Sequence, residues 1–348
     1  MFHKDISTYF IPNLILETTN TSHRFGGLPM SKVRFGVILA PDPEDGSRGR
    51  EHVQNILKYL DGLDDAYESA WLPDHFIPTV DPTRFDGIDE QAYGNDYLEC
   101  LTTTSYLMPL YPRLKFGQLV LCNRYRNPAL LAKMSSTLQV LSGGRLILGI
   151  GTGWYQEEYR QYGYDFPSSR ARVRQLEEAV RIIKMMWEED GVTFHGKHYR
   201  VEDAHCNPKP DPAPPILIGG KGERYTLKVV ARYADWWNGN FLDAETWSHK
   251  LNVLASHCDD AGRDLDTIIK STQWLVAVAG SDEEALRLAK RSQYYSERTF
   301  MVGTTESVVS RLGDLVDAGV EYFQLYFPQH RSIETQQLFA DEVIPELT

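Results

Sequence analysis

Three short segments carry side chains and backbone that could do chemistry. The first is Trp71-Leu72-Pro73-Asp74-His75-Phe76, where an acid and a histidine follow directly on a short apolar run. A histidine at the end of a strand can hydrogen-bond a ligand or exchange a proton near neutral pH, and a neighbouring carboxylate can fix its tautomer. The same pattern equally suits a capping aspartate beside a half-buried histidine. The second is the stretch 143–154, an apolar strand between glycine-rich turns that ends Gly149-Ile150-Gly151-Thr152-Gly153-Trp154. A dinucleotide fingerprint would need glycine where Trp154 stands, and an acid at a fixed offset that is absent, so that class is excluded. What remains is a strand end whose small residues let backbone approach a flat ligand, with Trp154 as a wall or as core packing. The third is the stretch 214–224, a strand running through Gly219-Gly220-Lys221-Gly222 towards a helix. Backbone N–H groups, a helix N-terminus and a lysine make an anion site, while the missing GKS or GKT ending excludes a Walker loop.

These groups can cooperate only if their strands end on one side of the molecule. Strand-like runs at 33–40, 69–72, 114–122, 145–150, 215–219, 234–238, 268–279 and 322–327 alternate with helical periods near 50–67, 128–142, 168–189, 223–233, 244–261, from 282, and 305–318. Pro128 opens one helix behind the candidate cap Asn127, with Leu131, Met134, Leu138 and Leu141 in its stripe. Val173, Leu176, Val180, Ile183 and Trp187 form the clearest stripe. Regular β–α alternation gives parallel strands and crossover helices, and eight units predict a closed (β/α)8 TIM barrel. Insertions at 73–113, with a helix near 96–109, and at 151–167 would then lie on the catalytic, carboxyl-terminal face. The stretch 190–213, with His195, His198 and His205, reads as a polar surface excursion. Residues 1–30 show no period and predict a poorly ordered leader before a single domain at 31–348; limited proteolysis that left the leader uncut would count against this.

Composition narrows the partners. The 348 residues are 42% hydrophobic and 24% charged, enough for a core, and the net charge of −12 argues against a nucleic-acid partner and for a small molecule. Arg124 with Arg126, and Lys221 with Arg224, are the local basic clusters that could hold an anion. Four scattered cysteines and no histidine at ligand spacing argue for a reduced, cytoplasmic protein without a metal. The early apolar run 11–16 is too short for a signal core or a membrane span, so no membrane association is expected.

Taken in order, these segments resemble the luciferase-like monooxygenase family, in the branch of coenzyme F420-dependent oxidoreductases. The resemblance covers 32–327 and rests on Asn127-Pro128-Ala129-Leu130-Leu131-Ala132-Lys133, on 143–159, on 218–235 and on Gly303-Thr304-Thr305-Glu306. It implies a (β/α)8 barrel, a cofactor across the carboxyl ends of the strands, and a homodimer. By position it puts Asp74 and His75 beside the cofactor ring, with His75 moving the proton. Leu119 and Val120 fall where the family often has a non-proline cis peptide against the ring, with Cys122 packed in the pocket lining. Gly151, Thr152, Gly153 and Trp154 would form the far wall, and Gly219, Gly220, Lys221 and Gly222 would hold the cofactor phosphate. Some members carry an acidic glutamate where this chain has Trp154, which leaves that role vacant; Glu157 and Glu158 lie near enough to substitute but read more simply as solvated loop carboxylates.

The implied function is hydride transfer between the reduced deazaflavin and a small organic substrate. Two alternatives stand beside it: an FMN-dependent monooxygenase using reduced flavin and O₂, of the alkanesulfonate-monooxygenase kind, and a cofactor-binding protein without turnover. A metal-dependent hydrolase built on Asp74 and His75 would need histidines at other strand ends, which the sequence lacks. Phe76, Phe85, Tyr93, Tyr97, Trp154, Tyr155 and Tyr159 in the insertions point to a flat or apolar substrate, or to a dimer interface.

Overall fold

The alternation closes into a barrel. The computed structural model describes residues 33–39, 47–77, 96–292, 294–328 and 333–348. The leader expected at 1–30 lies outside them, as do Phe85 and Tyr93; Lys32–Thr348 form one compact unit. In chain order the first half holds β1 (Arg34–Ile38), α1 (Arg50–Asp61), β2 (Tyr67–Leu72), α2 (Cys100–Leu107), β3 (Lys115–Gln118), β4 (Leu121–Cys122), α3 (Pro128–Ser142), β5 (Leu146–Gly151), α4 (Gln156–Gln161) and α5 (Ser169–Glu188). Then come β6 (Val192–His195), β7 (Arg200–Ala204), β8 (Ile216–Gly219), α6 (Thr226–Tyr233), β9 (Trp236–Asn238), α7 (Ala244–Ala261), β10 (Ile269–Val278), α8 (Asp282–Ala289), β11 (Phe300–Gly303), α9 (Thr305–Asp317), β12 (Tyr322–Tyr326), α10 (Ile333–Glu342) and α11 (Ile344–Leu347). Parallel pairing runs β1-β2-β3-β5-β8-β9-β10-β12 and returns to β1, where Phe35 sits opposite Phe323.

Side-chain alternation splits the core into two layers. Trp71, Ile147, Leu217, Trp236 and Tyr322, from five different strands, meet in one cluster, which only the barrel lumen allows. The opposite faces, including Phe35, Phe116 and Leu148, pack under the helices with Leu176, Val180 and Ile183 of α5. The Asn127 side chain accepts the Ala129 N–H at 2.9 Å to cap α3, and Gly143 ends that helix at φ 66°. Leu141, expected in the apolar stripe, is instead 79% exposed. Among the described residues no helix is long and apolar enough to cross a membrane.

Several boundaries differ for physical reasons. Gly62 closes α1 at Asp61, well short of 67, and β2 starts at Tyr67. The predicted strand 114–122 is interrupted by a cis peptide between Leu119 and Val120, and its two parts, β3 and β4, both pair with β5. The polar excursion is a β6–β7 hairpin whose turn is held by Glu178, which accepts the N–H groups of Lys197, His198 and Tyr199 at 2.8–2.9 Å. Val192 and Phe194 alternate with the exposed Thr193 and His195, a period of two only four residues long. β11 extends the upper half of β10 and adds a strand that lies outside the closed ring.

Gly149 on β5 shows how tightly strand three is seated. A Cβ there would overlap the Gln118 carbonyl oxygen. Gly149→Ala is therefore expected to cost about 3 kcal/mol of stability in denaturant unfolding, as overpacking of a filled core does. A loss below about 1 kcal/mol would mean that strand three shifts freely.

Candidate functional site

Asp74 and His75 follow directly on the end of β2, and their side chains take different partners. Asp74 is buried and accepts both Arg126 Nη atoms, at 2.8 and 2.9 Å, and the Cys122 N–H at 2.9 Å. Arg126 also bonds Glu99, whose carboxylate caps the start of α2. Burial pushes the Glu99 carboxyl up, but its bonds to Thr102 and Arg126 outweigh this and hold it below the ordinary value. Asp74 thus fastens β2, β4 and α2 together rather than fixing the tautomer of His75. Arg126 is neutralised and offers no anion site.

The histidine has a different acid. His75 Nδ1 lies 3.0 and 3.1 Å from the two oxygens of Glu158, on α4. Glu158 is 1% exposed and also accepts the Phe76 N–H and the Tyr125 hydroxyl, each at 2.7 Å. Burial pushes this carboxyl up, yet His75, Tyr125 and the Phe76 N–H together hold it below its ordinary value. An ionised Glu158 can only accept, so Nδ1 carries the hydrogen and Nε2 is left without a hydrogen-bond partner among the described residues. Glu158 is therefore no solvated loop residue. Glu157 is the half-exposed one, paired with Arg160. The six-residue α4 buries Glu158 and Tyr159 and exposes Gln156, Arg160 and Gln161, a period too short to read from sequence.

Val120 lies among the strand-end glycines. A Cβ on Gly151 would come within 2.6 Å of Val120 Cγ2, and one on Gly219 within 3.0 Å of Cγ1. The glycines at 149, 151 and 219 make room for strand three and the Val120 side chain, which differs from the direct ligand approach expected from their size. Cys122 is sealed beneath: its thiol lies 3.0 Å from the Tyr159 hydroxyl, and burial pushes it up to about 11, so it packs rather than reacts. Trp154 is 63% exposed, which rules out core packing, and its ring stands edge-on to His75 at 5.8 Å. Tyr155 lies beside both, at 5.2 Å from Trp154 and 6.4 Å from His75.

Beyond β8 the chain turns through Gly220, at φ 135°, whose N–H bonds Asn238 O at 3.0 Å and whose carbonyl accepts the Trp237 indole at 2.8 Å. The turn delays α6 to Thr226, three residues later than its period suggested, and the helix starts without a side-chain cap. The Gly222 carbonyl accepts the Leu227 N–H at 3.0 Å, so the turn itself supplies part of the cap. Lys221 Nζ lies 3.2 Å from Asn240 O, and burial, with Lys250 nearby, lowers its basicity. Arg224 turns away onto the Tyr225 ring, 5.2 Å from its centroid.

Residues 33–299 match the model of the family described as luciferase-like monooxygenase. The chain belongs to the luciferase-like monooxygenase family. An F420-dependent glucose-6-phosphate dehydrogenase of Kineococcus radiotolerans is 35% identical over 258 residues, 71% of each chain. An FMNH2-dependent dimethylsulfone monooxygenase of Pseudomonas putida is 33% identical over 157 residues, 44% of this chain and 43% of that one. The solved structure of an F420-dependent secondary alcohol dehydrogenase, in complex with an F420-acetone adduct, superposes with a TM-score of 0.76 at 18% identity, covering 91% of this chain and 99% of the other. The luciferase-like chain is thus an oxidoreductase on a (β/α)8 barrel.

In this luciferase-like barrel Glu158, Tyr125, Arg126 and Glu99 are the site residues that sequence reasoning passed over or misplaced. No local spacing signalled Glu158, because α4 begins only at Gln156 and is six residues long. Among the described residues no group of three or more His, Cys, Asp or Glu side chains is placed to hold a metal.

Proposed function

We propose that this protein transfers a hydride between coenzyme F420 and a small organic substrate, with His75 Nε2 holding the transferred proton. The observation that carries this is a histidine fixed through Nδ1 by a buried carboxylate, with Nε2 unpartnered among the described residues. F420 in its bound form supplies a carbon centre that accepts or gives a hydride. The residues present fit such a group: Val120 lies against the strand-end glycines where a flat ring would rest, and the glycine turn with Lys221 ahead of α6 suits its phosphate. Asp74 would act by holding the segment that carries His75, and Gly151, Thr152, Gly153 and Trp154 would wall the far side.

The F420-dependent relative that covers most of the chain supports the deazaflavin, while the shorter likeness to an FMNH2-dependent enzyme supports a reduced flavin with O₂ as the second reading. Equilibrium binding of F420 and FMN side by side, followed by O₂ consumption, separates them. Tight F420 binding with substrate-dependent reduction is expected. FMN-dependent O₂ uptake would overturn this reading, and F420 binding without turnover across a substrate panel would leave a binding protein. Lys221→Met is expected to weaken cofactor binding about tenfold by removing one charge-assisted phosphate contact. We also propose a cytoplasmic homodimer; Tyr106 and Leu110 near the end of α2 and Leu130 and Leu141 on α3 expose apolar surface for it, and sedimentation velocity tests the mass.

A further inference from the structure

We propose that Glu158 is the positioning residue for His75, forming with it and Tyr125 a buried relay that takes over the proton handling left vacant at Trp154. This rests on the hydride-transfer reading above and names the group on which its proton step depends. Glu158 reaches His75 from 83 residues away and touches it with both oxygens, while Phe76 N–H and Tyr125 hydroxyl hold the carboxylate from other sides. Trp154 closes the imidazole edge-on, so the ring is held from two directions. A carboxylate of this kind fixes the tautomer, orients the ring and stabilises the imidazolium that forms when Nε2 takes a proton.

For an alcohol substrate the balance is simple. The carbon-bound hydrogen leaves as hydride to the oxidised cofactor, the hydroxyl proton passes to His75 Nε2, and the C=O bond forms. The positive charge that appears on His75 then lies against Glu158. Asp74 cannot serve in its place, because both of its oxygens are spent on Arg126 and the Cys122 N–H. The ionisable groups facing the relay are the Tyr125 and Tyr159 hydroxyls, the Cys122 thiol and the Asp74–Arg126 pair. Cys122 is un-ionised near neutral pH and Asp74 is balanced by Arg126, so Glu158 is the unbalanced charge next to the ring.

The test uses the full chain in two settings. Nitrogen-15 NMR of the cofactor-free protein is expected to show a hydrogen on His75 Nδ1; an Nδ1 without hydrogen would overturn the proposal. In turnover with F420, Glu158→Gln is expected to lower kcat with KM nearly unchanged and to move the acidic limb of the kcat/KM profile down by about one pH unit or more. Tyr125→Phe removes one donor from the Glu158 carboxylate, leaves it more basic against His75, and is expected to move the same limb the other way. Glu158→Asp should restore part of the shift. Unmoved limbs, or shifts of one sign in both variants, would overturn the relay, because a merely structural role gives no opposed signs. If Glu158→Gln fails to fold, Tyr125→Phe and the NMR decide. Absence of F420 turnover in the unaltered protein would sink the cofactor reading alone, since the NMR result stands without it.

Discussion

His75→Ala is expected to lower kcat for the F420-linked reaction by about 100- to 10,000-fold, the range that removal of a positioned acid–base group produces. Cofactor affinity should change far less. The alanine deletes Nε2, the ring nitrogen without a partner among the described residues, and leaves Glu158 bound to Tyr125 and the Phe76 N–H. That remaining support predicts a folded variant, so the loss reports chemistry. Steady-state kinetics beside F420 titration makes the distinction. A kcat within about threefold of the parent would remove His75 from the proton step.

Arg126→Met is expected to cost about 3–5 kcal/mol of folding stability, the usual cost of stranding one partner of a buried ion pair. The Asp74 side chain is fully buried and would keep one donor, the Cys122 N–H, while Glu99 would lose its link to the cluster. The paired replacement Arg126→Met with Asp74→Leu should recover much of the loss, since no charge is then stranded. Urea unfolding of the two variants provides the measurement. A loss below about 1 kcal/mol in the single variant would mean that water reaches Asp74.

Acid should find the same elements. Glu99 and Glu158 both sit below the ordinary carboxylate value of 4.5 in the folded chain. Each therefore adds stability that is fully present above that value and is lost as pH falls through its folded value. Glu158→Gln should flatten the acid limb of a stability-against-pH curve, and an unchanged limb would show that Glu158 carries none of it.

The order of apolar runs was enough to give the barrel, because a period of two or 3.6 is written directly into neighbouring residues. It also placed the three chemical segments at strand ends, and Asn127 as the cap of α3. The interruption of strand three at Leu119 and Val120 came through likeness to a family, since nothing in those two side chains requires it. The sequence also left open which acid serves His75. Asp74 is its chain neighbour, but that acid is taken by Arg126, and the histidine meets Glu158, 83 residues further along the chain. Likewise the glycines at 149, 151 and 219 announced a close approach without saying of what; only the closed sheet brings Val120 against them. Local pattern decides elements because its forces act between near neighbours. Partners of buried charges are chosen by whatever the closed barrel delivers within hydrogen-bond reach, and that depends on the path of the whole chain.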